Sequence, residues 1–329
     1  MYKAFYNLER NPFEIVPDPF FFFPTPRHNE ALAALYHGVR GHKGFAVLTG
    51  EIGTGKTLLL RCLLELLKRS DDVAYAYVFN GRLSPSEFLQ YIASDFGLPV
   101  SGKNKSEILT DLSKYVVARG LTKLTTVLIV DEAHHLSMEI LEEIRLLTNL
   151  ETTHGKLLQI LLVGQPELDI KLDSSDLQQL KQRIVHRVHL LPLDPVETED
   201  YIERRLQLAG AGPNAHVMFS RDTIQRIYSH SSGIPRLINT ICENALITAY
   251  ARQLPRVTPE VVDDTAADLR LGVASSPEIR KPVEFGEADV KRAVESLRNL
   301  FEILKKLPSR EEEPGVAMTA GVRGYEPDI

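Results

Sequence analysis

The chain has 329 residues, 43% hydrophobic and 25% charged, which is enough apolar material for a sizeable core and, at ~100–200 residues per domain, for two domains. Its formal net charge of −6 leaves no basic footprint, so contact with nucleic acid would have to be a local patch, and no apolar run approaches the ~18–20 residues that span a bilayer. Cys62 and Cys242 are the only cysteines, each inside an apolar helical pattern, which reads as two buried thiols in a reducing compartment rather than a disulfide framework or a metal site.

The N-terminal stretch MYKAFYNLERNPFEI lacks the continuous apolar core of a signal peptide, so the expected address is the cytosol, with no direct membrane insertion. Next comes VPDPFFFFPTPRHNEAL (16–32), in which Phe20 to Phe23 stand between prolines that favour extended backbone. In an extended chain alternate side chains point to opposite sides, which splits the four phenylalanines into two pairs facing different surfaces. EALAALYHGV then reads as a helix.

From residue 44 short apolar runs alternate with helical periodicity. Strands are expected at 44–50, 73–80, 125–132, 156–164 and 185–191, and helices at 56–69, 85–96, 105–119 and 137–150. Near-continuous apolar strands separated by helices predict an α/β class, a parallel sheet with helices on both faces. After 195 the strand signal stops, and helical patterns at 195–209, 220–231, 235–252 and 259–270 predict a small all-α domain. The expected organisation is therefore 1–43 strap and first helix, 44–194 α/β domain, 195–271 helical lid, and 272–286 linker. An amphipathic helix over 287–307, with Val290, Val294, Leu297, Leu300, Phe301 and Leu304 on one face, and a polar tail over 308–329 complete it.

GEIGTGKT (50–57) matches the phosphate-loop pattern G-x-x-x-x-G-K-[ST] between a strand and a helix. Backbone N–H groups of Gly53, Thr54, Gly55 and Lys56 can converge there on phosphate oxygens, with Gly50 and Leu58 flanking them. Lys56 is placed to reach β and γ phosphates, and the Thr57 hydroxyl to ligate Mg²⁺. LIVDEAHHL (128–136) follows about 75 residues later, as a Walker-B strand should. Asp131 is placed to hold Mg²⁺ through water and Glu132 to polarise an attacking water. His134 and His135, as chain neighbours, are expected to point in different directions and to serve as packing residues rather than metal ligands.

Taken together, FYNLERNPFEIVPDPFFFF, GFAVLTGEIGTGKT, LIVDEAHHL, LLVGQPEL, LKQRI and GIPRLIN resemble the AAA+ ATPases of the general secretion pathway protein A type, over about residues 1–270. Relatives of that type accompany pilus and exopolysaccharide systems, and transposon-encoded AAA+ regulators are more distant. The resemblance implies an AAA+ P-loop NTPase that hydrolyses ATP with Mg²⁺. It implies that Gln165 is sensor 1, that Asn80 can hold the catalytic glutamate idle, and that Arg183, or else Arg187, is a finger pointed at a neighbouring subunit's γ phosphate. Arg236 in GIPR would be sensor 2, since a cation in the first turn of a helix opposes the dipole unless an anion lies near. The segment before the phosphate loop would wrap the nucleotide base, with two phenylalanines on the α/β domain, two toward the base or a neighbour, and His28 near the adenine.

A homo-oligomer with nucleotide-dependent assembly and a protein partner in an envelope machine follow from the same resemblance. A DNA-associated AAA+ regulator is the alternative, for which residues 273–329 offer neither a basic surface nor a winged helix.

Overall fold

The computed structural model describes residues 2–79, 83–153, 155–212 and 218–271. Asn80, the linker at 272–286, the amphipathic stretch at 287–307 and the tail at 308–329 lie outside the described residues. In chain order the first elements are α1 (Tyr2–Phe5), α2 (Pro26–Arg40), β1 (Phe45–Gly50), α3 (Lys56–Lys68), β2 (Val73–Val78), α4 (Pro85–Asp95), α5 (Lys105–Leu121) and β3 (Thr125–Val130). They are followed by α6 (Met138–Leu147), a short hairpin of β4 (Glu151–Thr152) and β5 (Gly155–Lys156), β6 (Leu158–Gly164), α7 (Pro166–Leu172), α8 (Gln178–Lys181) and β7 (Ile184–Leu190). The remaining helices are α9 (Pro195–Leu208), α10 (Arg221–Ser231), α11 (Pro235–Ala251) and α12 (Pro259–Asp268).

The five long strands form one parallel sheet in the order β2-β3-β6-β1-β7. Strands β1, β3 and β6 are buried at every residue, which is why their sequences are continuously apolar rather than alternating. At the edges, β2 and β7 are only partly covered. Phe88, Leu89 and Ile92 of α4, Ile108 and Leu112 of α5, and Ile140 and Ile144 of α6 cover one face. Leu32 and Leu35 of α2 with Leu59, Leu60 and Leu63 of α3 cover the other. Each such side chain contributes ~1.5–3 kcal/mol when fully buried. Capping boxes start α4 (Ser84 with Glu87), α5 (Asn104 with Glu107) and α9 (Asp194 with Glu197).

Three features depart from the expected elements. The chain leaves β3 at Val130, so Asp131 and Glu132 stand beyond the strand's end, and β2 likewise ends at Val78. The β4–β5 hairpin, α7 and α8 carry no sequence pattern long enough to announce them. The phenylalanines do not alternate, because Asp18 caps a 3-10 turn at Pro19–Phe21 and breaks the extended run. Phe21 joins the core of the lid, Phe23 packs on Tyr201 of α9, Phe22 joins the α2–α3 side of the sheet, and Phe20 is exposed with Arg10 over its ring. Only one of the four therefore packs on the α/β domain.

Much of the chain ahead of α2 belongs with the lid. Tyr6, Leu8 and Phe13 are buried with Ile202, Phe219, Ile238 and Leu246. The Tyr2 hydroxyl and the Asn11 amide donate to Glu243 at 2.8 and 3.1 Å, and Tyr6 donates to the Leu254 carbonyl at 3.0 Å. Buried Arg205 of α9 donates to the Pro12 carbonyl at 2.5 Å and lies 4.6 Å from the Phe21 ring centroid. On the other side, Arg61 of α3 donates to the Pro17 carbonyl at 2.6 Å, so the strap ties the two domains together. Both cysteines are free and buried.

Candidate nucleotide-binding site

The phosphate loop joins β1 to α3 at the C-terminal edge of the sheet. Gly53 and Gly55 have φ of 85° and 98°, backbone that favours glycine. A Cβ on Gly50 would lie 2.7 Å from the Leu190 carbonyl oxygen, so the loop can sit against β7 only with glycine there. Helix α3 starts at Lys56 with no side-chain cap, which leaves its first-turn N–H groups for an anion. Lys56 Nζ donates to the carbonyls of Gly50 and Glu51 at 2.8 and 2.9 Å. Burial lowers its pKa, against the opposing pull of the Glu132, Asp131 and Glu51 carboxylates. An anion such as phosphate would favour its charged form.

Asp131 lies just past β3. Its backbone N–H donates to the Val78 carbonyl at 2.8 Å, and its carboxylate accepts from the Tyr77 hydroxyl at 2.8 Å and the Glu132 N–H at 2.9 Å. Burial raises the Asp131 pKa in spite of those two bonds. A buried carboxylate short of positive charge, near an uncapped helix start that carries Thr57, suits a divalent cation bound through hard oxygen ligands. Tyr77 was not anticipated from the sequence. Its signal was a polar-tipped aromatic in a small, half-covered strand.

The lid reaches this loop through its backbone. The Arg236 N–H donates to the Gly53 carbonyl at 3.2 Å, and a Cβ on Gly53 would come within 2.8 Å of the Arg236 Cβ. Ahead of α11, Gly233 has φ 73° and a Cβ there would strike the Leu193 carbonyl, while Leu193 N–H donates to the Gly233 carbonyl at 2.9 Å. The start of α11 is thus locked onto both the phosphate loop and the linker from β7, and the Arg236 side chain is left exposed at that junction.

Residues 39–172 match a family described as AAA domain. General secretion pathway protein A of Aeromonas hydrophila is 44% identical over 253 residues, which cover 77% of this chain and 45% of that protein. The chain therefore spans less than half the length of that relative. Among solved structures, Cdc6p of Pyrobaculum aerophilum superposes with a TM-score of 0.61 at 21% identity, over 79% of this chain and 73% of that one. The ORC2 protein of Aeropyrum pernix gives 0.57 at 18%, over 79% and 72%. The chain carries an AAA domain over residues 39–172, on an AAA+ P-loop fold. Its sequence is similar to the general secretion pathway protein A type, and the solved neighbours show the shared fold.

On this AAA+ fold Gln165 follows β6, the strand between β3 and β1, and precedes α7 without a side-chain capping bond. Its amide nitrogen lies 3.0 Å from His134 Nε2, and Glu132 Oε2 lies 3.4 Å from His134 Nδ1. The two histidines do not diverge as expected: their rings lie against each other, tilted by 41°, with centroids 4.0 Å apart. The reason is the tight 3-10 turn Ala133–His135, entered through Glu132 in the left-handed region at φ 51°. The Glu132, His134 and His135 ligand atoms all lie within 4.8 Å of one another.

The two arginines differ in their partners. Arg187 pairs with Asp173 at 3.0 Å and Asp169 at 3.5 Å, whereas Arg183 donates to the uncharged Thr148 hydroxyl at 2.5 Å and the Asn149 amide oxygen at 2.7 Å.

His28, in the first turn of α2, sits behind the loop rather than in the open. It is buried, its Nδ1 is 2.7 Å from Thr25 Oγ1, and it hydrogen-bonds the Thr54 backbone. Burial lowers its pKa from 6.5 to about 4, with the Thr54 bond opposing and Arg27 adding to the shift. The unfolded chain therefore takes up this proton from pH 6.5 downward and the folded chain only near pH 4. Stability from this group is at its full value above the unfolded pKa and falls by roughly 3 kcal/mol as pH drops through that window. Urea denaturation at about pH 7 and about pH 4.5 measures it, and His28→Gln is expected to lose much of the difference. An unchanged pH dependence in the variant would assign the acid loss to other groups.

Proposed function

We propose that the chain binds ATP with Mg²⁺ and hydrolyses it at an interface between subunits, to drive or switch an envelope-associated assembly of the secretion, pilus or exopolysaccharide kind. The observation that carries this reading is the convergence, at one end of the sheet, of the glycine loop with Lys56, the buried Asp131 beside Glu132, and the lid helix bonded to Gly53 through Arg236. In it, the backbone of Gly50 to Leu58 and Lys56 hold the phosphates, Thr57 and Asp131 hold the metal ion, and Arg236 contacts the phosphates from the lid. The metal ion supplies charge neutralisation on the phosphate oxygens. Glu132 orients and polarises the attacking water, and Gln165 aligns it with the γ phosphate. His28 supports the loop from behind, next to the strap that would cover the base.

Arg183 is the better trans finger. Arg187 is already neutralised by two carboxylates, while Arg183 hydrogen-bonds neutral groups and the one carboxylate that feels its charge, Glu151, is already paired with Lys156, which leaves Arg183 the freer of the two for an incoming phosphate. The likeness to a protein named for general secretion supports the envelope context. Among the described residues no helix is long and apolar enough to cross a membrane, which fits a partner-recruited protein acting on the cytoplasmic side. The DNA-associated alternative draws on the Cdc6p and ORC2 folds at 18–21% identity and on a 28% identity over 137 residues to an HTH-type transcriptional regulator of Methanocaldococcus jannaschii, likenesses that carry a fold but not a partner.

Hydrolysis at a shared interface has a distinctive concentration dependence. Phosphate release per protomer is expected to rise with protein concentration, and inactive Arg183→Ala subunits should regain activity when mixed with Glu132→Gln subunits, because each supplies the half-site the other lacks. Concentration-independent turnover by a monomer would exclude the trans role.

A further inference from the structure

We propose that His134 is a positioning residue that couples Gln165 to Glu132, holding the Glu132 carboxylate with one ring nitrogen while meeting the Gln165 amide with the other. The proposal rests on the reading of Glu132 as the group that polarises water.

The ring is set in place from its backbone outward. Lys171 of α7 donates to the carbonyls of His134 and Leu136, both at 2.7 Å, and the turn packs so closely on the end of β6 that a Cβ on Gly164 would lie 3.2 Å from the His134 nitrogen. The His134 side chain is 8% exposed, whereas that of Glu132 is 48% exposed, so the ring is the fixed member of the pair and the carboxylate the movable one. Glu132 enters the turn at φ 51° and ψ 35°, with its N–H held by Asp131 Oδ1 at 2.9 Å and its carbonyl accepting from the His135 N–H at 3.0 Å. Its backbone is pinned, which leaves side-chain rotation as its remaining freedom.

Imidazole chemistry links the two contacts. A neutral ring has one N–H and one lone pair. With the Gln165 NH₂ facing Nε2 at 3.0 Å, Nε2 must be the acceptor, Nδ1 carries the hydrogen, and Nδ1–H faces the Glu132 carboxylate at 3.4 Å. With the amide turned so that its oxygen faces the ring, Nε2 carries the hydrogen. Nδ1 then presents a lone pair, which repels the carboxylate and suits the Gln165 backbone N–H that stands 3.4 Å from Nδ1 in either setting. Each setting of the amide thus corresponds to one setting of Glu132. A γ phosphate that recruits the Gln165 NH₂ would take it from the ring and free the carboxylate to meet water.

The test is a double-mutant cycle on the full chain, read as phosphate release and as binding of a fluorescent ATP analogue. His134→Phe fills the site without either bond. Its kcat is expected to fall by roughly 10²-fold, the scale of a misplaced catalytic group, with analogue affinity nearly unchanged. Gln165→Ala should cost far less in the His134→Phe background than in the wild type, since the link is already cut. If His134→Phe misfolds, His134→Asn and His134→Gln carry the same test. Asn places an amide near Nδ1 and can hold Glu132 without reaching Gln165, whereas Gln places one near Nε2 and does the reverse, so each should reduce the cost of Gln165→Ala to the part that does not pass through the ring. Losses that simply multiply, or wild-type kcat in His134→Phe, would overturn the coupling alone. A wild-type chain that turns over no ATP, or Glu132→Gln that turns over normally, would overturn the underlying reading together with it.

Discussion

Lys56→Ala is expected to lose measurable affinity for ATP, while Glu132→Gln keeps that affinity and slows turnover by roughly 10²–10⁴-fold. The asymmetry follows from where the two groups stand. Lys56 Nζ is the buried cation of the loop, resting on the Gly50 and Glu51 carbonyls at 2.8 and 2.9 Å, and burial already makes its charge costly without an anion. Removing it takes away the point charge that triphosphate would meet and leaves two carbonyls facing the site. Glu132 instead has a half-exposed side chain past the end of β3, so an amide there disturbs little of the fold and keeps the shape but cannot accept a proton. Titration with a fluorescent ATP analogue and a phosphate-release assay separate the two effects. Normal turnover by Glu132→Gln would remove that residue from the mechanism, and undiminished binding by Lys56→Ala would move the phosphates away from this loop.

Phe13→Ala is expected to destabilise the lid by ~3–5 kcal/mol, the usual range for a buried aromatic truncated to alanine. Phe13 is fully buried, with its ring 5.9 Å centroid to centroid from Phe219 and nearly perpendicular to it. The adjacent Pro12 carbonyl accepts from Arg205, so the truncation loosens the anchor of the strap as well as opening a cavity. Against a typical domain stability of ~5–15 kcal/mol, such a loss should separate lid unfolding from that of the α/β domain in a denaturant titration. Phe20→Ala is the contrast: that side chain is 38% exposed and stacks under Arg10, a contact worth about 0.5–1 kcal/mol. Equal effects of the two substitutions would mean that residues 2–13 are not part of the lid core.

The candidate site was legible to different depths. The phosphate loop and the acidic pair after β3 could be read because each is a short string whose function depends on chain neighbours: glycines for positive φ, a lysine at the helix start, and carboxylates at a strand end. Tyr77 on Asp131 could not, since it depends on β2 pairing with β3 in the register Tyr77 to Ile129. The paired histidine rings depend on a 3-10 turn and a left-handed Glu132, which the string DEAHH does not specify. Arg183 and Arg187 are four residues apart and look alike as text. Only the placement of Asp169, Asp173, Thr148 and Asn149 around them gives one a pair of anions and the other two neutral partners.

For the fold, the sequence by itself determined the class: five apolar strands with helices between them must form a covered parallel sheet, and an unbroken series of helical patterns after it must form a separate layer. Periodicity reports which face of an element is buried, and that is a property of residues within a few turns of each other. It does not report what buries it. The strand order β2-β3-β6-β1-β7, the course of the phenylalanine strap and the docking of α1 and its following loop on the lid were decided only by tertiary structure. The bond from Tyr2 to Glu243 spans 241 positions of sequence, and Arg205 to Pro12 spans 193. Such pairs form because folding brings two half-satisfied surfaces together and water leaves them, a condition that no local window of the chain contains.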